Sequence, residues 1–590
     1  MLAASPRHAH RAGLAQRGNR AKARDEGWGD EAIPPNPQRD FGCYTADAAR
    51  LTRRPAALAP GFGGRPRPPS FFTCLPALAL ALAALAARAE PLGQWNGFDI
   101  SWDTTIRVSL GLRTEPADDS LLAGINADDG DRAFTQGPDS ERIDVITELT
   151  GQRGALGFDL SAQGWYDAAY NTDSANTSPA TFNPITSSNR GFPADVRDLM
   201  GRDVELLNAN LRDTIEVADL PVTVSIGRQT LLWGESLLFP ENGIAAAQAP
   251  VDDIKAAGEP LAQARELFLP VAQIVVRLGL GGGLSLEAYD QFEWRRDRLP
   301  AVGSYFSTTD ILDAGGQRIL AADGVPTLYR EGDETPHGIG QFGAALRQSG
   351  GDIDWGLYAL RADARLPTLV TIPDYRSYRL DFARDSQLYG ASVSTYLGDA
   401  NIAGEISLQH DVPLDAIDAG GVAGGGGVTP YLAGLLHSVR TGPAALVPPI
   451  SRGTTVNAQA SINTQLPPGR FADGATLQAE IAGNTLTQGV LPAGRTRFAA
   501  AFRAVLTPQY FHVLPGLDLA CPMGVGIGLT GFSAVDSSQN AGAGFVSLGV
   551  TATYHVVWQG ALNFTHYVGG AGAQPLADRD FAVLSVTRSF

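Results

Sequence analysis

From Glu90 onward the chain alternates apolar with small or polar residues in runs of about ten, separated by turn residues. The segment LYGASVSTYLGDANIAGEISLQH (388–410) shows it best. Tyr389, Ala391, Val393, Thr395 and Leu397 share one face, and Gly390, Ser392, Ser394 and Tyr396 the other. After Gly398-Asp399-Ala400, Ile402, Gly404, Ile406 and Leu408 alternate with Ala403, Glu405, Ser407 and Gln409. Period two predicts a hairpin with one apolar face. The same pattern recurs at 221–229, 284–294, 545–557 and 561–570, and in the final FAVLSVTRSF (581–590). Soluble strands usually have five or six residues, whereas about ten are needed to cross an outer membrane at a tilt. The chain stops on Phe590 inside such a run. A closed barrel supplies a reason for the last strand not to fray, because it pairs with the first and removes both edges. Trp102, Trp165, Trp294, Trp355, Tyr389 and Trp558 fall near strand ends, as an interfacial girdle requires.

The expectation is an all-β transmembrane antiparallel β-barrel of about 16 strands, with 14 to 18 in range, in the outer membrane of a Gram-negative bacterium. The polar stretches 171–199, 301–340 and 411–453 read as long irregular outer loops. Residues 236–270 differ. Helical composition at 251–268, interrupted by Pro260, predicts an ordered loop that folds into the pore as a plug or gate, or else a surface loop with a helical turn.

Composition narrows the function. Mean hydropathy is −0.05, too low for a bundle of membrane helices. The 590-residue chain carries net charge −17, which makes nucleic acid a poor partner. Cysteine occurs at 43, 74 and 521 only. Residues 71–89, FFTCLPALALALAALAARA, have a basic flank, an apolar core and an Ala-x-Ala exit, and read as a signal peptide cleaved before Glu90. Residues 1–70 precede it as a disordered leader or an early-called start, leaving 90–590 as the barrel. Removal of Cys43 and Cys74 leaves Cys521 alone, with no disulfide to make.

Few motifs point to chemistry. GIGLTG (526–531) matches a dinucleotide fingerprint but opens no helix, and Gly524, Gly526 and Gly528 fall on one strand face. NADDGD (126–131) reads as a polar turn, with a weaker reading as a loop-bound calcium near Asp128, Asp129 and Asp131. No cofactor, catalytic residue or metal pair is expected. GRQTLLWGES (227–236) carries Arg228 into Trp233 and Glu235. A mid-strand charge must face the lumen, so Arg228 beside a carboxylate would form a constriction. EWRRDRLP (293–300) reads as a solvated rim in preference to a binding patch. The candidate lumen or gate residues are Arg228, Trp233, Glu235, Asp252, Glu293, Arg295 and Arg296.

The stretches NADDGDRAF (126–134), GRQTLLWGESLLFPENGIAAAQAPVD (227–252), LFLPVAQI (267–274) and QFEWRRDRLPAVGSYFSTTDILDAGG (291–316), with the hairpin from Tyr389, make the chain resemble a proteobacterial outer-membrane family designated domain of unknown function number 1302. The resemblance implies a monomeric barrel working with a periplasmic partner and an inner-membrane lipid-exporting pump, and moving lipid- or sterol-like solutes. Outer-membrane lipid and the barrel assembly machinery are further implied partners. The leader departs from the pattern, and Arg588 stands where barrels often carry an aromatic. A general or polysaccharide-type porin is the first alternative, supported by the likeness of GRQTLLWG (227–234) to alginate-export barrels. An outer-membrane lipid hydrolase is the second.

Overall fold

The computed structural model describes residues 93–320, 327–371, 376–414 and 450–590. The leader, the signal segment and the Gly424–Gly427 stretch lie outside the described residues. Among the described residues, twenty strand segments form one antiparallel sheet. Leu517–Ala520 and Met523–Thr530 are halves of one strand, interrupted at Pro522, which has no N–H for the ladder. Gly93–Trp95 only extends an edge. That leaves 18 wall strands, at the top of the expected range and above its central value of 16. The central value was low because the turns at one end have only two to seven residues.

The sheet closes on itself. The first strand, Phe98–Arg113, pairs with the last, Phe581–Ser589, from Thr105↔Ser589 to Arg113↔Phe581. Phe590 extends the seam: its N–H donates to the Thr104 carbonyl at 2.9 Å. Arg588 is held between two aromatic rings, 4.9 Å from Trp558 and 4.4 Å from Phe590, so the terminal ring also shields a cation near the strand end. Both described termini and the short turns share one end of the barrel, and the long connections share the other. The latter is the outer face by the usual asymmetry of such barrels.

Register sorts the two faces. Leu278, Leu286, Leu346, Leu357, Ala391 and Ile406 stand opposite one another across six strands. The adjacent row is Arg277, Glu287, Ala345, Tyr358, Gly390 and Ser407. Leucines and isoleucine of the first row point outward, with Leu357 51% and Ile406 52% exposed; Glu287, Ala345, Tyr358 and Ser407 are buried inside. The apolar face around the ring is therefore the lipid face. The hairpin at 386–413 turns through Gly398 and Asp399, with Gly398 at φ 63°, a left-handed conformation that suits glycine. Trp102, Trp355 and Tyr389 are exposed on the outside, as a girdle would be. Trp165 and Trp294 are not part of it. Trp165 is buried beneath Arg142 and Arg298, and Trp294 packs on Phe382 among the outer loops.

The outer connections carry structure within the described residues, while most of the 411–453 stretch lies outside them. Arg318–Ile319, Leu328–Arg330, Thr368–Thr371 and Ser377–Asp381 form a second, four-stranded sheet. Leu299, Ile311, Leu312, Ile319, Leu328, Leu369, Tyr378, Leu380 and Phe382 form its apolar core. Segments this short show no sequence period, so only their mutual packing reveals them.

Lysine in place of Leu357, at mid-strand on the lipid face, is expected to destabilise the barrel by ~2–4 kcal/mol. Lysine in place of Ser225, which lines the lumen, should cost far less. Denaturant titration of both variants in lipid vesicles measures the difference.

Candidate functional site

Residues 230–270 leave the strand Leu220–Gln229 and return into Val271–Gly281. Between them the chain makes short turns at Pro240–Asn242 and Ile244–Ala247 and helices at Asp253–Gly258 and Ala264–Leu267. The break between the helices contains Pro260, as its fixed ring and missing N–H demand. The loop crosses the lumen. Trp233 and Ile244 pack with Val275, Tyr289, Tyr358 and Leu388. Leu238 and Phe239 pack with Ala482, Ala501 and Val505 on strands 474–488 and 498–514. Leu261 meets Gly524, on a strand nine places around the ring of 18 from Val271–Gly281, which is the opposite wall.

Three carboxylates on the inner wall hold it. Glu480 accepts the main-chain N–H groups of Leu237, Leu238 and Phe239, the last at 3.0 Å. Glu405 accepts those of Glu235 at 2.5 Å and Ile244 at 2.9 Å, and a side-chain N–H from Gln459 at 3.1 Å. Glu287 accepts the Trp233 indole N–H at 2.6 Å and pairs with Arg277 at 2.5 Å. A buried carboxylate needs donors, and a loop without regular structure needs acceptors for its N–H groups; each satisfies the other. Arg503 reverses the polarity, donating to the Leu238 carbonyl at 2.7 Å with its guanidinium 4.5 Å above the Phe239 ring.

Wall glycines make the room. A Cβ at Gly343 would press on Trp233, at Gly390 on Ile244, and at Gly524 on Leu261. The glycine face of GIGLTG and its neighbour Gly524 thus serves packing: Gly524, Gly526 and Gly528 are buried inside, while Val525, Ile527 and Leu529 are exposed outside. Gly234 has φ 92°, and a Cβ there would overlap Glu405.

A charged seam closes the base of the loop. Arg228 lies 3.5 Å from Glu293, so its carboxylate neighbour is Glu293 and not Glu235. Arg295 and Arg298 both bind Glu205, the former at 2.5 Å, and Arg298 also binds Asp252 at 2.8 Å. These arginine side chains are largely buried, which corrects the solvated-rim reading of EWRRDRLP. The residues face inward because Glu205, on a different wall strand, offers both oxygens at once. Arg296 stands apart, bridging Asp313 and Asp333 and lying 5.0 Å from the Phe382 ring. The seam therefore joins Arg228, Asp252, Glu293 and Arg295. Trp233 and Glu235 belong to the wall-bound part of the loop. Glu205, Glu287, Glu405 and Glu480 were not singled out in the sequence. Their signal was a lone carboxylate on the polar face of a strand, which names no partner.

Burial dominates the loop titrations. It pushes the Glu235 carboxyl up, against an opposing pull from Arg347. It also raises Asp297, which accepts the Val251 N–H at 2.7 Å and lies near Arg365. For Arg298, burial would lower the value, but Asp252 and Glu205 outweigh it and raise it.

Two cavities flank the loop. One, of 560 Å³, lies toward the short-turn end, with Glu148, Asp159, Arg212, Arg277 and Glu287 in its lining. The other, of 210 Å³, lies between the Asp253–Gly258 helix and the far wall, with Ala256, Ala257, Pro260, Phe306, Phe545 and Tyr567 among its residues.

A closed 18-stranded antiparallel barrel with a lipid-facing apolar belt and a loop across its lumen defines a porin-like outer-membrane barrel. Residues 70–590 match the family described as "Protein of unknown function (DUF1302)", and the chain belongs to that family. No curated protein matches it. Among solved structures it is similar to Pseudomonas aeruginosa OpdK with vanillate (10% identity, TM-score 0.38, covering 83% of this chain and 98% of that one). It is likewise similar to Acinetobacter baumannii OccAB4 (10%, 0.39, 85% and 99%) and to Salmonella typhi OmpF complexed with daunomycin (8%, 0.36, 84% and 99%). Likeness at this level speaks to neither cargo nor mechanism.

Alanine at Glu480 leaves three loop N–H groups without their acceptor, at about 1–3 kcal/mol for each that stays buried. Protease should then cut within 236–263 faster than in wild type, with the barrel still folded. Asp297 gives a pH signature. Its folded value is raised, so its contribution is fully present below the unfolded carboxylate value and is lost as pH rises through the folded one. Asp297→Asn should flatten that decline, measured as unfolding midpoint against pH.

Proposed function

We propose that the protein is a gated outer-membrane channel for hydrophobic or amphipathic solutes, lipid- or sterol-like, working with a periplasmic partner and an inner-membrane exporting pump. The lumen-crossing loop carries this reading. It stands between the two cavities and is held by hydrogen bonds and packing without a covalent tie, so a rearrangement of 236–263 would join them. The apolar side chains in the 210 Å³ cavity suit an acyl or fused-ring body, and the polar groups around it suit a headgroup.

One observation favours a second reading, a porin for polar or saccharide solutes. The 560 Å³ cavity presents Glu148, Asp159, Arg212, Arg277 and Glu287, a surface that suits hydrated solutes.

Planar-bilayer recording separates the two. A gated conduit should show small, brief conductance that becomes large and steady in Glu480→Ala or when 236–263 is replaced by a short glycine-serine linker. Large, steady conductance in the wild type, unchanged by either alteration, would favour the porin. Mass spectrometry of barrels extracted in mild detergent should find a bound acyl or sterol-like molecule.

A further inference from the structure

Three outer loops meet at a set of oxygens that lacks enough positive charge. Asp128, Asp129 and Asp310 are each wholly buried. One carboxylate oxygen from each lies within 4.8 Å of the other two. Asp128 is paired with Arg132, but among the described residues neither Asp129 nor Asp310 has an ion pair. Hydrogen bonds use only part of the set. Asp310 Oδ2 accepts the N–H groups of Asp128 at 2.8 Å and Asp129 at 3.2 Å. Asp129 accepts from the Asn176 side chain and the Asn183 main chain, both at 3.0 Å.

The remaining oxygens point to a ligand. Asp310 Oδ1 and Asp128 Oδ1 have no donor. Neither do three neutral oxygens on buried neighbours: Asn183 Oδ1, Ser304 Oγ and Thr309 Oγ1. Thr309 adjoins Asp310 in the chain, and Asn183 donates to Asp129. Native interiors rarely leave buried acceptors unused, and an uncompensated buried carboxylate is costlier still.

We infer that Asp128, Asp129 and Asp310 bind a calcium ion that fastens the outer loop segments 114–136, 168–201 and 292–320 together. All the candidate donors are hard oxygens, which exclude a preference for zinc or copper. Calcium accepts irregular sets of six to eight oxygens, whereas magnesium keeps its waters and avoids all-protein cages. The sequence reading grouped Asp131 with this set, and the structure removes it. Asp131 lies 2.5 Å from Arg579 and 3.5 Å from Arg113, which neutralise it, and Asp310, 182 residues from Asp128, takes its place. Because Phe306 of the third loop also lines the 210 Å³ cavity, the ion would stiffen one side of that chamber.

The test uses the full barrel in detergent, stripped with EGTA and dialysed. Calcium alone should bind at about one ion per chain by calorimetry and radiolabelled calcium, at up to millimolar concentration as in extracellular modules. It should also slow proteolysis within 292–320 by at least about tenfold, and magnesium should not. Asp310→Asn should weaken binding by at least about tenfold while strand circular dichroism is unchanged. If that variant fails to fold, the wild-type comparison with and without EGTA decides alone. No calcium bound at about 5 mM, or protection obtained equally by acidification without metal, would overturn the inference. So would binding that survives in both Asp310→Asn and Asp129→Asn.

Discussion

Within a bilayer, no water is present to satisfy a peptide group, so each N–H and C=O of the wall must find its partner in the wall itself. That single requirement organises this molecule. It forces the strand Phe98–Arg113 to meet Phe581–Ser589, a seam to which the Phe590 N–H adds a bond at Thr104. It also inverts the usual distribution of side chains. Leu286, Leu357 and Ile406 lie on the outside because lipid is there, and Glu287, Glu405 and Glu480 lie within because only the interior can solvate or pair them.

The interior then faces the opposite difficulty. A ring of 18 strands encloses more space than its own side chains fill, and a loop that enters it brings unpaired main-chain N–H groups. The wall carboxylates and the loop amides resolve each other. Glu480 takes a run of three consecutive amides, and Glu405 takes two that are nine residues apart. Such bonds between a charged acceptor and main chain depend little on the loop's side chains. Recognition of particular side chains falls to the glycines at 343, 390 and 524, which admit Trp233, Ile244 and Leu261.

At the outer end the loops behave as a small globular layer. One apolar core gathers around Leu328 and Tyr378, and another around Phe134, Tyr170, Tyr305 and Phe581. Beside the second, next to the Tyr305 ring, lie buried ion pairs. Arg113 and Arg579 are shared by Asp131 and Asp578, which ties the loop before the last strand to the loop after the first. Such pairs fix geometry more than they add stability, since desolvation offsets much of their attraction.

Alternation along each strand is a local property, and it was legible: the membrane barrel, the hairpin at 388–410 and the Pro260 break all follow from periods and turn residues within a few positions. Strand number was approximate because turn lengths vary. What one chain position cannot encode is its distant partner. Glu480 with Leu238, Arg298 with Glu205, and Asp310 with Asp128 are separated by 242, 93 and 182 residues. Closing the ring brings them together, and the curvature of the closed sheet decides which carboxylate meets which amide. The sequence by itself determined that a barrel forms and which face meets lipid; only the tertiary structure decided what crosses its lumen, and what holds it there.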